Sequence, residues 1–275
     1  MAMRLKGLGA LLAIASLGAV HAGQAKSEAA TSLAPVTVEA LADNREVRSY
    51  RNMLKAMEQF EAYRAKYPDA YLRFRIYPRS DGVDLSKLKV SVVGDSRREP
   101  VAVSDEASFT LPVIAELREQ NADVRANVPS GDLGWRVMVR REGSPANRRI
   151  LGDIREECRL EIDGADVARK FIPPGVQVMK LFTDICALRG AQMASYSERP
   201  LFSVHLSHGD RHASLLSERL YEYRGAGAAV APLLDGDVIR DRRFFAPLYD
   251  ESWPDDTVLE IEYMDDAGVV AEVQP

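Results

Sequence analysis

Residues 71–78 read YLRFRIYP. In an extended chain Leu72, Phe74 and Ile76 fall on one side and Arg73 and Arg75 on the other, the two-residue period of a half-buried strand. Segments of the same character follow at short intervals: KLKVSVVGD (87–95), EPVAVSD (99–105), ASFTLP (107–112), ADVRANVP (122–129) and WRVMVRR (135–141). Asp-Gly, Gly-Asp, Ser-Asp and Pro-Ser-Gly turn signals separate them, which predicts an antiparallel sandwich or barrel with Trp135 in its core. Upstream the period becomes helical. Val47, Tyr50, Met53, Leu54, Met57 and Phe60 share one broad stripe, predicting an amphipathic helix packed on the sheet. Asp43 and Glu46 are spaced as a capping pair, and Pro68 ends the helix. Val36 and Val38 suggest one further short strand.

The strand rhythm of residues 71–141, SFTLP (108–112) above all, resembles the small prealbumin-like sandwiches that accompany secreted enzymes and transport proteins. The resemblance implies a sandwich and carries no functional motif. Beyond it, REGSPANRR (141–149) is polar and broken by Gly and Pro, a natural internal boundary. In GVQVMKLFTDICALRG (175–190), Val178, Met179, Leu181, Phe182, Ile185 and Leu188 form one helical face, with Gly190 as the stop. Strand patterns then return in LFSVHLS (201–207), HASLLSERLYEY (212–223), AAVAPLL (228–234), RFFAPLY (243–249) and TVLEIEYMD (257–265). The expected fold is α+β: two antiparallel β-rich, sandwich-like lobes, 36–144 and 145–275, with accessory amphipathic helices. The second lobe contains the helical segment 175–190, where Cys186 lies at the edge of the apolar face within reach of Cys158 on the preceding stretch.

The chain begins MAMRLKGLGALLAIASLGAVHA, a cationic start, an apolar run from Leu8 to Val20, and small residues at the end. That is the pattern of a secretory signal over residues 1–22, cleaved after Ala22 and followed by a disordered lead-in over 23–35. The apolar run falls short of the ~20 residues a spanning helix needs, so no transmembrane segment is expected once the signal is removed. A periplasmic or secreted location follows. Cys158 and Cys186 are the only cysteines, and in an exported chain two thiols pair most simply as one disulfide.

The formal net charge of −5 becomes more negative when Arg4 and Lys6 leave with the signal, which excludes nucleic acid as a partner. RDRRFF (240–245), a basic run interrupted by an acid, reads as a solvated face. Ser86 and Lys89 match S-x-x-K but lead into a strand, and GAGAAV (225–230) runs into Pro232 in place of a helix. Chemistry concentrates in VHLSHGDRHAS (204–214). With Gly209 and Asp210 at the centre of a two-residue hairpin turn, His205, Ser207, His212 and Ser214 share the polar face and His208 points away. His205 and His212, with Asp210, are the candidate zinc or copper ligands, although such sites need three or four. Acidic turns at Asp235 and Asp237, and at Asp250, Asp255 and Asp256, offer oxygen ligands suited to calcium. Trp253 is a candidate aromatic anchor beside them.

No catalytic signature is complete, so the favoured expectation has no cofactor. It is an exported periplasmic or envelope protein that binds a protein or glycan partner non-catalytically. Its contact surface comprises the loops that carry His208, Asp235, Asp237, Asp250, Trp253, Asp255 and Asp256. The alternative is a secreted metal-dependent enzyme or hydrolase with a dispersed carboxylate and histidine site.

Overall fold

The computed structural model describes residues 45–163, 184–188, 193–221 and 237–266. The proposed signal, the lead-in, the strand at 36–38, the segment AAVAPLL and Asp235 lie outside them. The described chain is α+β and rich in antiparallel sheet, and residues from Ala42 onward belong to one compact unit.

The stretch YLRFRIYP lies in β2 (Ala70–Pro78), which pairs in unbroken antiparallel register with β7 (Leu133–Arg141). With β5 (Ser108–Phe109) on the other side, these form a sheet of order β5-β2-β7. A second sheet has the order β1-β6-β3-β4, built from β1 (Arg45–Ser49), β3 (Val90–Val93), β4 (Arg98–Val101) and β6 (Asp123–Pro129). One apolar core takes Phe74, Ile76, Trp135 and Val137 from the first sheet and Val90, Val92 and Val124 from the second. Helix α1 (Tyr50–Lys66) closes it with Tyr50, Met53, Leu54 and Phe60.

The helix begins later than its apolar stripe predicts. Residues 45–49 pair with β6 as a strand, so Glu46 is not in the first turn of the helix, and Asp43, its predicted capping partner, lies outside the described residues. Ser49 is the N-cap, its hydroxyl accepting from the Asn52 N–H at 3.3 Å. Glu46 is buried, accepting from the Gly131 N–H and from Arg48. Backbone pairing with a neighbouring strand outweighs the local helical period here. A short helix, α2 (Ala115–Glu119), adds Leu117 to the same core.

In the second half, β8 (Arg148–Ile150), β10 (Leu201–His208), β11 (Arg211–Ser214) and β13 (Val258–Tyr263) make a sheet of order β11-β10-β13-β8. Among the described residues β9 (Ser195–Tyr196) pairs only with β12 (Arg243–Phe244). Several predicted strands shorten on folding, RFFAPLY to the two residues of β12 and ASFTLP to those of β5 among them. The strand from 212 ends at Ser214 and gives way to a 3-10 turn at Ser217–Arg219. The basic run 240–245 is no solvated face throughout, since Arg243, Phe244 and Phe245 are buried.

Helix α3 (Leu151–Asp163) joins the halves, and its two faces have opposite chemistry. Leu151, Ile154 and Cys158 pack into the second core with Val204, Leu206, Trp253, Leu259 and Ile261. Asp153, Glu157 and Glu161, spaced i, i+4, i+8, face the free edge of β7. Glu157 accepts from the Val139 N–H at 2.7 Å and Glu161 from the Val137 N–H at 3.1 Å. Asp153 takes a forked pair from Arg141 and the Tyr63 hydroxyl. Helix carboxylates thus occupy the amides that an open sheet edge would offer to another chain.

The start of α3 is held by backbone carbonyls. Leu151 N–H donates to Thr257 O at 2.9 Å and Gly152 N–H to Asp255 O at 2.8 Å, supplying two of the acceptors a helix N-terminus lacks. A Cβ on Gly152 would lie 2.8 Å from Asp255 O and 2.9 Å from Asp255 Cβ. Gly152→Ala is therefore expected to lose about 1–3 kcal/mol from overpacking, although alanine is the better helix former by about 1 kcal/mol. Urea unfolding of the variant measures this, and a gain in stability would show that the contact relaxes.

Cys158 and Cys186 are joined as a disulfide, with Cα atoms 6.0 Å apart. Cys186 sits in a 3-10 turn, Ile185–Ala187, not in a continuous amphipathic helix. Asp184 is extended, and its carboxylate accepts from the Cys186 N–H at 2.9 Å, a local bond that competes with helix. Positions 175–183 of that predicted helix lie outside the described residues. Among the described residues no helix is long and apolar enough to cross a membrane.

Candidate binding surface

The hairpin β10–β11 has the register its turn dipeptide implies: His208 opposite Arg211, Ser207 opposite His212, Leu206 opposite Ala213 and His205 opposite Ser214. Of the two central residues only Gly209 has a positive φ, +55°, the requirement of a turn of type II′. Val204 and Leu206 point to the core, and the outward face holds Ser203, His205, Ser207, His212 and Ser214.

His205 is held on both sides. Its Nε2 lies 2.7 Å from the Ser203 hydroxyl, which donates to Glu262 Oε2 at 2.7 Å. Since that hydroxyl proton is committed to the carboxylate, Nε2–H donates to Ser203, and Nδ1 accepts from the Ser214 hydroxyl at 2.8 Å. A metal bound at His205 would have to displace a serine. His212 shares the face, and Asp210 is exposed at the turn. Among the described residues no group of three His, Cys, Asp or Glu side chains is placed to hold an ion.

The hairpin tip meets the loop that follows Tyr249. Arg211 donates from Nη1 to Ser252 O at 2.6 Å and Ser252 Oγ at 3.1 Å, and its guanidinium lies 3.7 Å from the centre of the Trp253 ring. His208 Nε2 is 3.2 Å from Asp256 Oδ1. Two of the three predicted contact loops, 208–211 and 249–256, therefore form one surface. Of the third, 234–237, only the backbone of Asp237 falls within the described residues, where it opens a 3-10 stretch (Asp237–Arg242).

Three predicted contact residues play internal roles. Trp253 is 5 % exposed and belongs to the second core, so its ring is no exposed anchor. Burial of the indole under Arg211 removes more apolar area from water than a surface position would. Asp250 Oδ1 accepts from Ser252 Oγ at 2.6 Å and Ser252 N at 3.1 Å, and the hydroxyl bond holds its carboxyl below the usual range. Asp255 pairs with Arg155 Nη1 at 2.7 Å. Exposed positions on the joined surface are His208, Asp210, Glu251, Ser252 and Asp256.

Arg155 organises the loop from within. This buried guanidinium donates from Nε to Leu248 O at 3.0 Å and from Nη2 to Asp250 O and Trp253 O, each at 3.0 Å. Behind the loop lies a cavity of about 250 Å³ lined by Arg155, Arg159, Asp184, Cys186, Tyr249 and Glu251, among others. Its charges answer one another, Arg155 with Asp255 and Arg159 with Asp184. Neither Arg155 nor Arg211 carries a local sequence signal, because their partners lie 41 to 100 residues away.

No protein-family model, curated protein or solved structure matches this chain.

Proposed function

We propose that this is an exported protein of the periplasm or cell envelope with a non-catalytic binding or assembly role, presenting the joined 208–211 and 249–256 surface to a protein or glycan partner. The observation that carries the reading is the seat of Arg211 on Trp253 and Ser252. It turns two loops into one preformed surface, so less ordering entropy is lost when a partner docks. The Cys158–Cys186 disulfide and the N-terminal leader support export.

The test places a photo-crosslinking residue at Asp210 or Glu251 in exported protein and at the exposed Lys55 on helix α1 as control. Discrete adducts from the first two, absent at Lys55 and lost on Arg211→Ala, are expected. No adduct at either loop position, or a chain still carrying Met1 in the cytosol with both thiols reduced, would overturn the proposal. Elemental analysis belongs beside it: a stoichiometric zinc, copper or calcium ion removed by His205→Ala with His212→Ala would put the metal-dependent enzyme in its place.

A further inference from the structure

Glu157 is a carboxylate on which two sheets converge. Its Oε1 accepts from the Val139 N–H on β7 at 2.7 Å and from Arg149 Nη2 on β8 at 2.6 Å. The Glu157 side chain is 6 % exposed and that of Arg149 5 %, so neither charge is relieved by solvent. Beside them is a polar cavity of about 20 Å³, room for one water molecule. Arg149 Nε and Ser195 Oγ, both on residues lining it, are buried and have no hydrogen-bond partner among the described residues. Arg149 thus has a second place to put its polar groups.

We propose that Glu157 is a pH-operated clasp between the sheets: proton uptake by its carboxylate releases the Arg149 side chain and loosens the edge strand β8, which runs directly into helix α3. Burial pushes the Glu157 carboxyl up to about 7, against the opposing pull of Arg149 and the Val139 amide. Asp153 and Glu161, one helical turn to either side, push it in the same direction as burial. From β7, Arg136 is engaged by Glu161 and Arg140 by the carbonyls of Pro145 and Ala146, so neither replaces Arg149 as the clasp. Tyr77 from β2 and Tyr196 from β9 complete the surroundings. Tyr77 is itself pushed further from ionisation by burial.

The sign of the global effect is fixed. A carboxyl that titrates higher folded than unfolded contributes stability that is full below the unfolded value near about 4.5 and lost as pH rises through about 7. Acidification through neutrality therefore steadies the fold as a whole while removing the counter-charge of one edge strand.

The experiment is an NMR titration of the intact chain, following the Val139 amide and the hydrogen exchange of Arg148–Ile150 from about pH 5 to about pH 9. The Val139 proton is expected to shift with a midpoint near neutrality. After correction for intrinsic rates, the β8 amides should exchange about tenfold faster at the acidic end. Glu157→Gln should flatten both profiles. A Val139 midpoint near the ordinary glutamate range, or a titrating Val139 with unchanged β8 exchange, would overturn the clasp. Because the native chain supplies both readouts, failure of the variant to fold would leave the test decisive.

Discussion

Arg155→Ala is expected to lower stability by about 3–5 kcal/mol, chiefly from three backbone carbonyls left without their donor. The substitution strands the carbonyls of Leu248, Asp250 and Trp253 and removes the counter-ion of Asp255 together. Each stranded buried acceptor costs on the order of 1–3 kcal/mol when water cannot reach it. Relaxation of the loop toward solvent offsets part of that sum. Arg155→Lys should recover little, since one ammonium cannot reproduce a planar fork aimed at four acceptors. Urea unfolding read by tryptophan fluorescence and far-ultraviolet circular dichroism checks both variants. A loss under about 1 kcal/mol for the alanine variant would mean that the loop holds its shape unaided. Arg211→Ala is the contrast: on the exposed rim it should cost only about 0.5–1 kcal/mol, so a lost adduct there reports binding and not unfolding.

Reduction of Cys158–Cys186 is expected to cost roughly 3–4 kcal/mol by the chain-entropy argument, because the bond closes a loop of sequence separation 28 and its loss frees the unfolded chain. At roughly 2–4 °C per kcal/mol for a chain of this size, the melting temperature should fall by about 6–16 °C on thiol treatment. Replacing both residues by alanine should cost somewhat more, since the two sulfurs also fill the second core beside Ile154 and Trp253. Scanning calorimetry with and without reductant gives the first value, and mass measurement confirms that the bond has opened. A melting temperature unchanged by complete reduction would show that packing alone holds the 184–188 turn against α3.

Strands were legible wherever a two-residue period met a turn signal. β3, β6 and β13 lie wholly within stretches whose alternation marks them as strands, and β2, β7 and β10 extend one or two residues beyond theirs. The hairpin register followed from Gly209-Asp210 alone, because a two-residue turn leaves one way to pair its flanks. Helix α3 was missed although Leu151, Ile154 and Cys158 recur at helical spacing and Asp153, Glu157 and Glu161 fill the other face. The polar run before it read as a boundary, and seven charged residues among its thirteen extend that polar character and mask a narrow apolar stripe. The start of α1 was misplaced for the opposite reason. Its local pattern is helical through Val47, and only pairing with β6 draws residues 45–49 into a sheet.

The candidate site divides along the same line. From sequence came the polar face of the hairpin, the acidic loop after Tyr249 and the two cysteines, because alternation, turn chemistry and residue count are local or compositional properties. What each group does was decided by contacts between distant segments: Arg211 seated on Trp253, His205 held between two serines, Asp255 spent on Arg155 and Glu157 clasped between sheets. Periodicity determines which way a side chain points. The partner waiting there is set by how the sheets and α3 pack, and that free energy is summed over the whole core, beyond what any short stretch of residues encodes.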